Sequence, residues 1–157
     1  MLTRLVEMWR AYQHGQQSSV SRLHSAETDA VLTCVLRANY LPHGDREEVV
    51  ITLRAYSGRI TRTRSPHRSP QISVSRTLDD DESKAVASGL NVHGVWELGP
   101  LTRPSMDGLQ VSVAVTDGQR FHSIQVRNPE GEHLALARYV VGLVDIDTPV
   151  TGERSSL

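Results

Sequence analysis

The sequence predicts an α+β fold in which an N-terminal, a middle and a C-terminal helix pack against an antiparallel sheet of about five to seven strands. Apolar and polar residues alternate at a period of two in several short segments, which Gly, Pro and Asp turn signals separate. In three other segments apolar residues recur at three- and four-residue spacing. Because 157 residues supply one core, we predict a single domain over residues 1–147 and a flexible tail over residues 148–157.

The N-terminal helix is predicted over residues 2–13. One of its faces carries the apolar residues Leu2, Leu5, Val6, Trp9 and Tyr12. His14-Gly15 is expected to end this helix. Residues 16–28 are rich in Ser, Thr and Gln and contain few apolar groups, which predicts a connection.

The middle helix is predicted to have Thr77 as its N-cap and Gly89 just past its end. The acidic residues 79–82 occupy its first turn, where they interact favourably with the helix dipole. A cation site is the alternative, but successive helical positions point in different directions and do not converge on one ion.

The C-terminal helix is predicted to open at Asn128-Pro129, since asparagine caps well and proline is preorganised for the first turn. Its predicted buried stripe consists of Leu136, Ala137, Val140, Val141, Leu143 and Val144.

Ahead of the last hairpin, the strand pattern covers residues 30–41, 49–56, 60–64, 71–76 and 92–98. The first of these has apolar residues such as Leu36 and Val35 on both faces, which predicts a central strand. The second is its antiparallel return. In the fourth segment Ile72 and Val74 are expected to point inward, and the fifth carries Trp96.

The clearest local signal is a hairpin that turns at Asp117-Gly118, a pair typical of a two-residue type I′ turn. One strand alternates the aliphatic residues Leu109, Val111, Val113 and Val115 with smaller or polar ones. A two-residue loop would place Val113 opposite His122, so His122 is predicted on the aliphatic face. The other face is polar apart from Ala114 and Phe121.

Net charge and cysteine content bound the environment of the protein. The chain has a net charge of −1 and one cysteine, Cys34, which is expected to be a small buried hydrophobe and cannot form an intramolecular disulfide. No apolar run approaches the ~20 residues of a membrane-spanning helix, and the N-terminus does not resemble a signal peptide. We therefore expect a cytoplasmic protein with no membrane partner. An organellar targeting segment is the alternative for the arginine-containing start, and Glu7 argues against it.

The most unusual regional feature is charge, since residues 49–78 contain six arginines and no acid. Four of the six are the predicted binding residues Arg59, Arg62, Arg64 and Arg68. Guanidinium forks on one side of a strand suit carboxylates on a protein partner or phosphates. The alternative is that the arginines lie along a solvated sheet edge and pair with acids near residues 45–48 and 79–82. An acidic protein surface is favoured over nucleic acid, because the whole chain is near neutral and contains no nucleic-acid module signature.

His122 and Trp96 form the second candidate site, a pocket for an enzyme or small-ligand binder. A histidine in a partly apolar site can act as a general base, and the alternative is a boundary histidine bonded to backbone or a hydroxyl. The sequence contains no catalytic constellation, no metal-ligand spacing and no cofactor motif. We therefore predict no catalytic residue, no bound metal and no cofactor.

About a third of the chain resembles small bacterial α+β proteins of the toxin-neutralising immunity type. The resemblance rests on the hairpin at Asp117-Gly118, the Arg127-Asn128-Pro129 break and the closing helix. It implies a protein partner and transfers no functional residue. Our hypothesis is a non-enzymatic interaction protein that binds an acidic protein surface through an arginine-rich sheet edge or face. A pocket near His122 and Trp96, and nucleic-acid binding by residues 54–76, are the alternatives.

Overall fold

The computed structural model describes residues 2–27, 29–41, 44–100 and 108–146. Its elements are α1 (Leu2–Ala26), β1 (Ala30–Leu41), β2 (Asp45–Arg54), β3 (Gly58–Ser65), β4 (Ile72–Leu78), α2 (Asp80–Val92), β5 (Gly108–Thr116), β6 (Phe121–Arg127) and α3 (Gly131–Gly142). The predicted α+β class, with an antiparallel sheet and three helices in these places, is confirmed. The predicted tail over residues 148–157 lies outside the described residues.

The six strands form one sheet in the order β4-β3-β2-β1-β5-β6, and every neighbouring pair is antiparallel. The central position predicted for β1 is confirmed. On one face, which we call the core face, Leu36 and Val113 pack in one buried cluster with Leu90 of α2 and Val140 of α3. On the opposite face, Val20 of α1 forms a smaller cluster with strands β1 and β5. The sheet therefore lies between α1 and the α2–α3 pair.

Helix α1 runs through Gly15 to Ala26, so the predicted connection over residues 16–28 is wrong. The polar residues of this stretch find partners on the sheet. Val20 is 1% exposed against Val35 and Ala114, Ser19 accepts a hydrogen bond from Arg37, and His24 Nδ1 lies 2.9 Å from the Thr33 hydroxyl. Tertiary contacts of this kind override weak intrinsic helix propensity.

Helix α2 is capped by Asp79, and the prediction of Thr77 is wrong because Thr77 continues β4. The Asp79 carboxylate accepts from the Glu82 N–H at 2.8 Å, and the Glu82 carboxylate accepts from the Asp79 N–H at 3.0 Å. This capping box also lowers the pKa of Glu82, with Arg76 as the second cause. The acidic first turn is therefore part of the helix start.

The predicted end of α2 at Gly89 is also wrong, since the helix continues to Val92. Gly94, at φ +73°, ends it: the Gly94 N–H donates to Asn91 O and the Val95 N–H to Leu90 O, each at 3.0 Å. These two bonds form a Schellman motif. Residues 93–97 then form turns, so the strand predicted over residues 92–98 does not exist.

The hairpin of β5 and β6 forms with a four-residue loop, 117–120, instead of the predicted two-residue turn. Val113 pairs with Ile124, and His122 pairs with Val115. The Asp117 carboxylate accepts from the backbone N–H groups of Gln119 and Arg120 at 3.0 and 2.9 Å, which favours this longer loop. The slip is two residues, so every side chain keeps its predicted face.

Two further details differ from the predictions. The N-cap of α3 is Glu130, whereas Asn128, at φ +51°, accepts a hydrogen bond from the Leu109 N–H at 3.0 Å and closes the open end of the hairpin. Ile72 is 48% exposed at the sheet edge, while Val74 packs against the core. The predicted stripe of α3 is buried at Leu136, Ala137, Val140 and Val144 and partly buried at Val141 and Leu143.

Candidate functional site

Arg62 of β3 points into the core face and is 7% exposed. Its Nε and Nη2 donate to Glu47 Oε1 at 3.0 and 2.5 Å, and its Nη1 donates to the carbonyl oxygen of Val144 at 2.9 Å. Glu47 is itself 6% exposed. One buried guanidinium therefore connects β3, β2 and the chain beyond α3.

Arg64 and Arg76 extend this network along the core face. Arg64 Nε donates to the same Glu47 oxygen at 3.1 Å, and about a third of its side chain is exposed. Arg76 donates to Glu82 at 2.8 Å and to the Leu143 carbonyl at 3.0 Å. Arg62 and Arg76 thus satisfy carbonyls at the C-terminal end of α3, where cations interact favourably with the helix dipole.

Arg54 and Arg59 lie on the other face of the sheet, beside the end of α1. Both pair with Glu27, and Arg54 also donates to Asp29 at 2.9 Å. The hydrogen bond to Asp29, followed by that to Glu27, raises the pKa of Arg54. These ion pairs fasten the C-terminal end of α1 to β2 and β3.

Arg68 differs from the other arginines of the segment. It lies in the turn between β3 and β4 at φ +60° and is exposed. Among the described residues it has no hydrogen-bond or ion-pair partner. Its guanidinium is therefore directed to solvent.

A second exposed arginine, Arg46, lies at the start of β2, next to Asp45, which accepts a hydrogen bond from the His67 N–H in the turn that carries Arg68. Arg46 is opposite Ser65, the last residue of β3, and it likewise has no hydrogen-bond or ion-pair partner within the described part of the chain. Two concavities, of about 380 and 250 Å³, lie on opposite faces of the sheet at this point, and Arg46 lines both. We call this region the Arg46 end of the sheet, and it comprises Arg37, Asn39, Tyr40, Asp45, Arg46, Glu47, Glu48, Arg62, Thr63, Arg64, Ser65, Pro66, Arg68 and Gln71.

The Arg46 end carries excess positive charge. Five arginines lie there against three carboxylates, and each carboxylate has an internal partner. Glu48 pairs with Arg37 at 2.8 Å, Asp45 accepts from the His67 backbone N–H at 2.5 Å, and Glu47 is shared by two arginines. The charges that remain for an external group are those of Arg46 and Arg68. Tyr40, 43% exposed, adds an aromatic surface beside them.

His122 and Trp96 occupy the other end of the core face. His122 Nε2 lies 2.8 Å from the Leu98 carbonyl oxygen, which can only accept, so this nitrogen carries the hydrogen. Trp96 packs against the core, and the Arg120 guanidinium lies 3.8 Å from its ring centroid. Neither residue lines the two concavities at the Arg46 end or two others found among the described residues. The two side chains hold the segment after α2 against the hairpin.

The sequence analysis missed Arg46 and Tyr40. Tyr40 precedes and Arg46 follows the turn signal at residues 42–45, and both lie outside the arginine-rich residues 49–78. The signal that could have found them is the antiparallel pairing of β1 with β2 and of β2 with β3, because it brings Tyr40, Arg46 and Ser65 to one end of the sheet.

Neither a scan against models of known protein families nor a search of curated proteins finds a match for this chain.

Within the described ranges, no helix has the length and apolar character needed to cross a bilayer. The same residues contain no group of three or more His, Cys, Asp or Glu side chains that could hold a metal ion. Burial raises the pKa of the Cys34 thiol to about 12, so it is a poor nucleophile.

Proposed function

We propose that this protein is a non-enzymatic interaction protein that binds a partner protein with an acidic surface through the Arg46 end of the sheet. The observation that carries the proposal is the pair of exposed arginines, Arg46 and Arg68, that have no hydrogen-bond or ion-pair partner among the described residues. The other arginines at this end of the sheet, Arg37, Arg62 and Arg64, have internal partners, so Arg46 and Arg68 are the guanidinium groups there that can meet an external carboxylate.

The surroundings of Arg46 support a contact with a protein chain. The two concavities beside it offer space for side chains on both faces of the sheet end. Tyr40 supplies the rigid aromatic area that is enriched in protein interfaces, and arginine is enriched there as well. A partner segment with two carboxylates and one apolar side chain would match this combination.

Charge at this surface should govern partner choice and the rate of association more than the affinity alone. We propose an immunity-type role as the finer reading, in which the acidic partner is a toxin domain. We also propose that the protein acts in the cytoplasm, because a reducing compartment suits its single thiol.

The test compares wild-type protein with Arg46→Glu/Arg68→Glu as immobilised bait in a lysate of the source organism. Arg138→Glu is the control, since Arg138 is an exposed arginine on α3 that lines neither of the two concavities. Proteins captured by wild type and by the control, and lost with the double variant, are identified by mass spectrometry and their affinities measured with purified material.

We expect the double variant to bind the identified partner at least tenfold more weakly, with the circular dichroism spectrum unchanged. Equal capture by a folded double variant would refute the proposal. Fluorescence anisotropy with labelled RNA and duplex DNA distinguishes the nucleic-acid alternative. Binding of either probe that weakens steeply with salt would replace the protein partner by a nucleic acid.

A further inference from the structure

Strand β4 forms an edge of the sheet and has β3 as its one strand neighbour in the described part of the chain. Natural edge strands are protected by proline, charged side chains, bulges or covering elements. Residues 72–78 contain no proline and one charged residue, Arg76, whose guanidinium is held by Glu82 and the Leu143 carbonyl, and their pairing with β3 is regular throughout. Five of the seven side chains are exposed. The outer backbone groups of β4 are therefore available for another strand.

The side chains of β4 have a pattern that is complementary to itself. Ile72, Val74 and Arg76 lie on the core face, and Ser73, Ser75 and Thr77 lie on the opposite face. If two copies of β4 run antiparallel about a two-fold axis at Val74, Val74 lies opposite Val74, Ser73 opposite Ser75, and Ile72 opposite Arg76. Each position then meets a compatible residue.

We propose that the β4 edge binds a second copy of this chain in that register and joins the two sheets into one of twelve strands. Serine hydroxyls on β4 already pair with threonine hydroxyls on β3, Ser75 with Thr61 at 2.9 Å and Ser73 with Thr63 at 3.1 Å. Facing Ser73 and Ser75 of the two copies extend this row of hydroxyl pairs across the axis. Cross-strand pairs of this kind stabilise sheets.

The core-face side of the junction is also favourable. Ile72, 48% exposed in one copy, is covered by the aliphatic part of Arg76 of the other. The charge of Arg76 does not oppose pairing, because Glu82 and the Leu143 carbonyl hold its guanidinium. The two Arg76 residues are four positions apart along the joined strands, or about 13 Å at the rise of a β-strand.

The proposal goes beyond partner binding at the Arg46 end and is tested without a partner. Two double variants carry the same lysine and differ in one charge: Ser73→Lys/Ser75→Lys and Ser73→Lys/Ser75→Glu. In the proposed register the first places lysine opposite lysine at both positions, and the second places lysine opposite glutamate. All the altered side chains are exposed, so folding is retained.

Sedimentation equilibrium over a range of concentrations measures the dimer dissociation constant at low salt. We expect the wild-type chain to dimerise, the lysine–lysine variant to dissociate at least tenfold more readily, and the lysine–glutamate variant to dimerise at least as well as wild type. A wild-type chain that stays monomeric overturns the proposal. So does a dimer to which both variants respond equally, since that dimer would use another surface or register.

Discussion

Replacing Arg62 by alanine should destabilise the protein more than replacing any other arginine of the segment from residue 54 to residue 76. The substitution leaves Glu47, 6% exposed, without its closest cation, and it leaves the Val144 carbonyl without the Arg62 donor at 2.9 Å. Breaking a buried ion pair by removing one partner costs about 3–5 kcal/mol. Arg64 remains 3.1 Å from Glu47, so we expect the lower end, about 3 kcal/mol.

Thermal unfolding followed by circular dichroism measures this effect. For a chain of this size a loss of about 3 kcal/mol lowers Tm by about 6–12 °C. Arg64→Ala is the matched control, because its side chain is partly exposed and bonds the same oxygen of Glu47. Its expected cost is about 1 kcal/mol, because Arg64 is partly exposed and Glu47 keeps the closer Arg62 as its partner.

A double-mutant cycle tests the cause of the loss. If Arg62 acts through Glu47, then Glu47→Gln should cost at least about 1 kcal/mol less in the Arg62→Ala background than in the wild type. Additive effects of the two substitutions would refute the reasoning, and so would an Arg62→Ala loss no larger than that of Arg64→Ala.

Two other positions give sharp expectations. Gly89→Ala should lower the free energy of unfolding in urea by about 1–3 kcal/mol, as overpacking does, because a Cβ at residue 89 would lie 1.9 Å from the Tyr139 hydroxyl oxygen. We expect a smaller loss in a Tyr139→Leu background. An equal loss in that background would contradict overpacking as the cause. At Asp117, the backbone N–H of Arg120 and then its side chain lower the carboxyl pKa to about 2. Because the pKa of this carboxyl is lower in the folded state than in the unfolded state, its ionised form stabilises the fold above the unfolded-state pKa, and that stabilisation is lost as pH falls through the folded-state pKa. Asp117→Asn should therefore flatten the fall in Tm between about pH 4 and pH 2. An unchanged profile of Tm against pH would show that this carboxylate is not linked to folding.

The six strands of the sheet could be predicted from sequence because their period-two pattern is local, whereas the short apolar segment 92–98 was wrongly predicted as a seventh. Helix α1 could not be predicted to its full length, because the contacts of Val20 and Ser19 that hold its second half come from strands distant in the chain. The same holds for Gly89, which lies inside α2 where the Tyr139 side chain from α3 leaves no room for a Cβ. The pairing register of β5 with β6 was wrongly predicted, because Asp117-Gly118 suits a two-residue loop as well as the observed four-residue loop.

The candidate site was harder to predict than the fold. Arginine density identified the segment, but not which guanidinium groups are free. That distinction depends on Glu27, Glu47 and Glu82 reaching arginines that lie 27, 15 and 6 residues away in sequence. Pairing of β2 with β3 places Arg46 opposite Ser65, at the turn that carries Arg68, and this pairing is not visible in the local sequence around Arg46.

The pairing of Thr116 with Phe121 decides which side chains of β6 enter the core. Directly opposite residues of an antiparallel pair lie on the same face of the sheet, so a loop of another length keeps His122, Ile124 and Val126 inward wherever that pairing is kept. A shift of the pairing by one residue would turn these three side chains away from the core and bring Phe121, Ser123 and Gln125 in. We therefore expect homologous chains to differ freely in the length of this loop while they keep apolar residues at the positions of Ile124 and Val126.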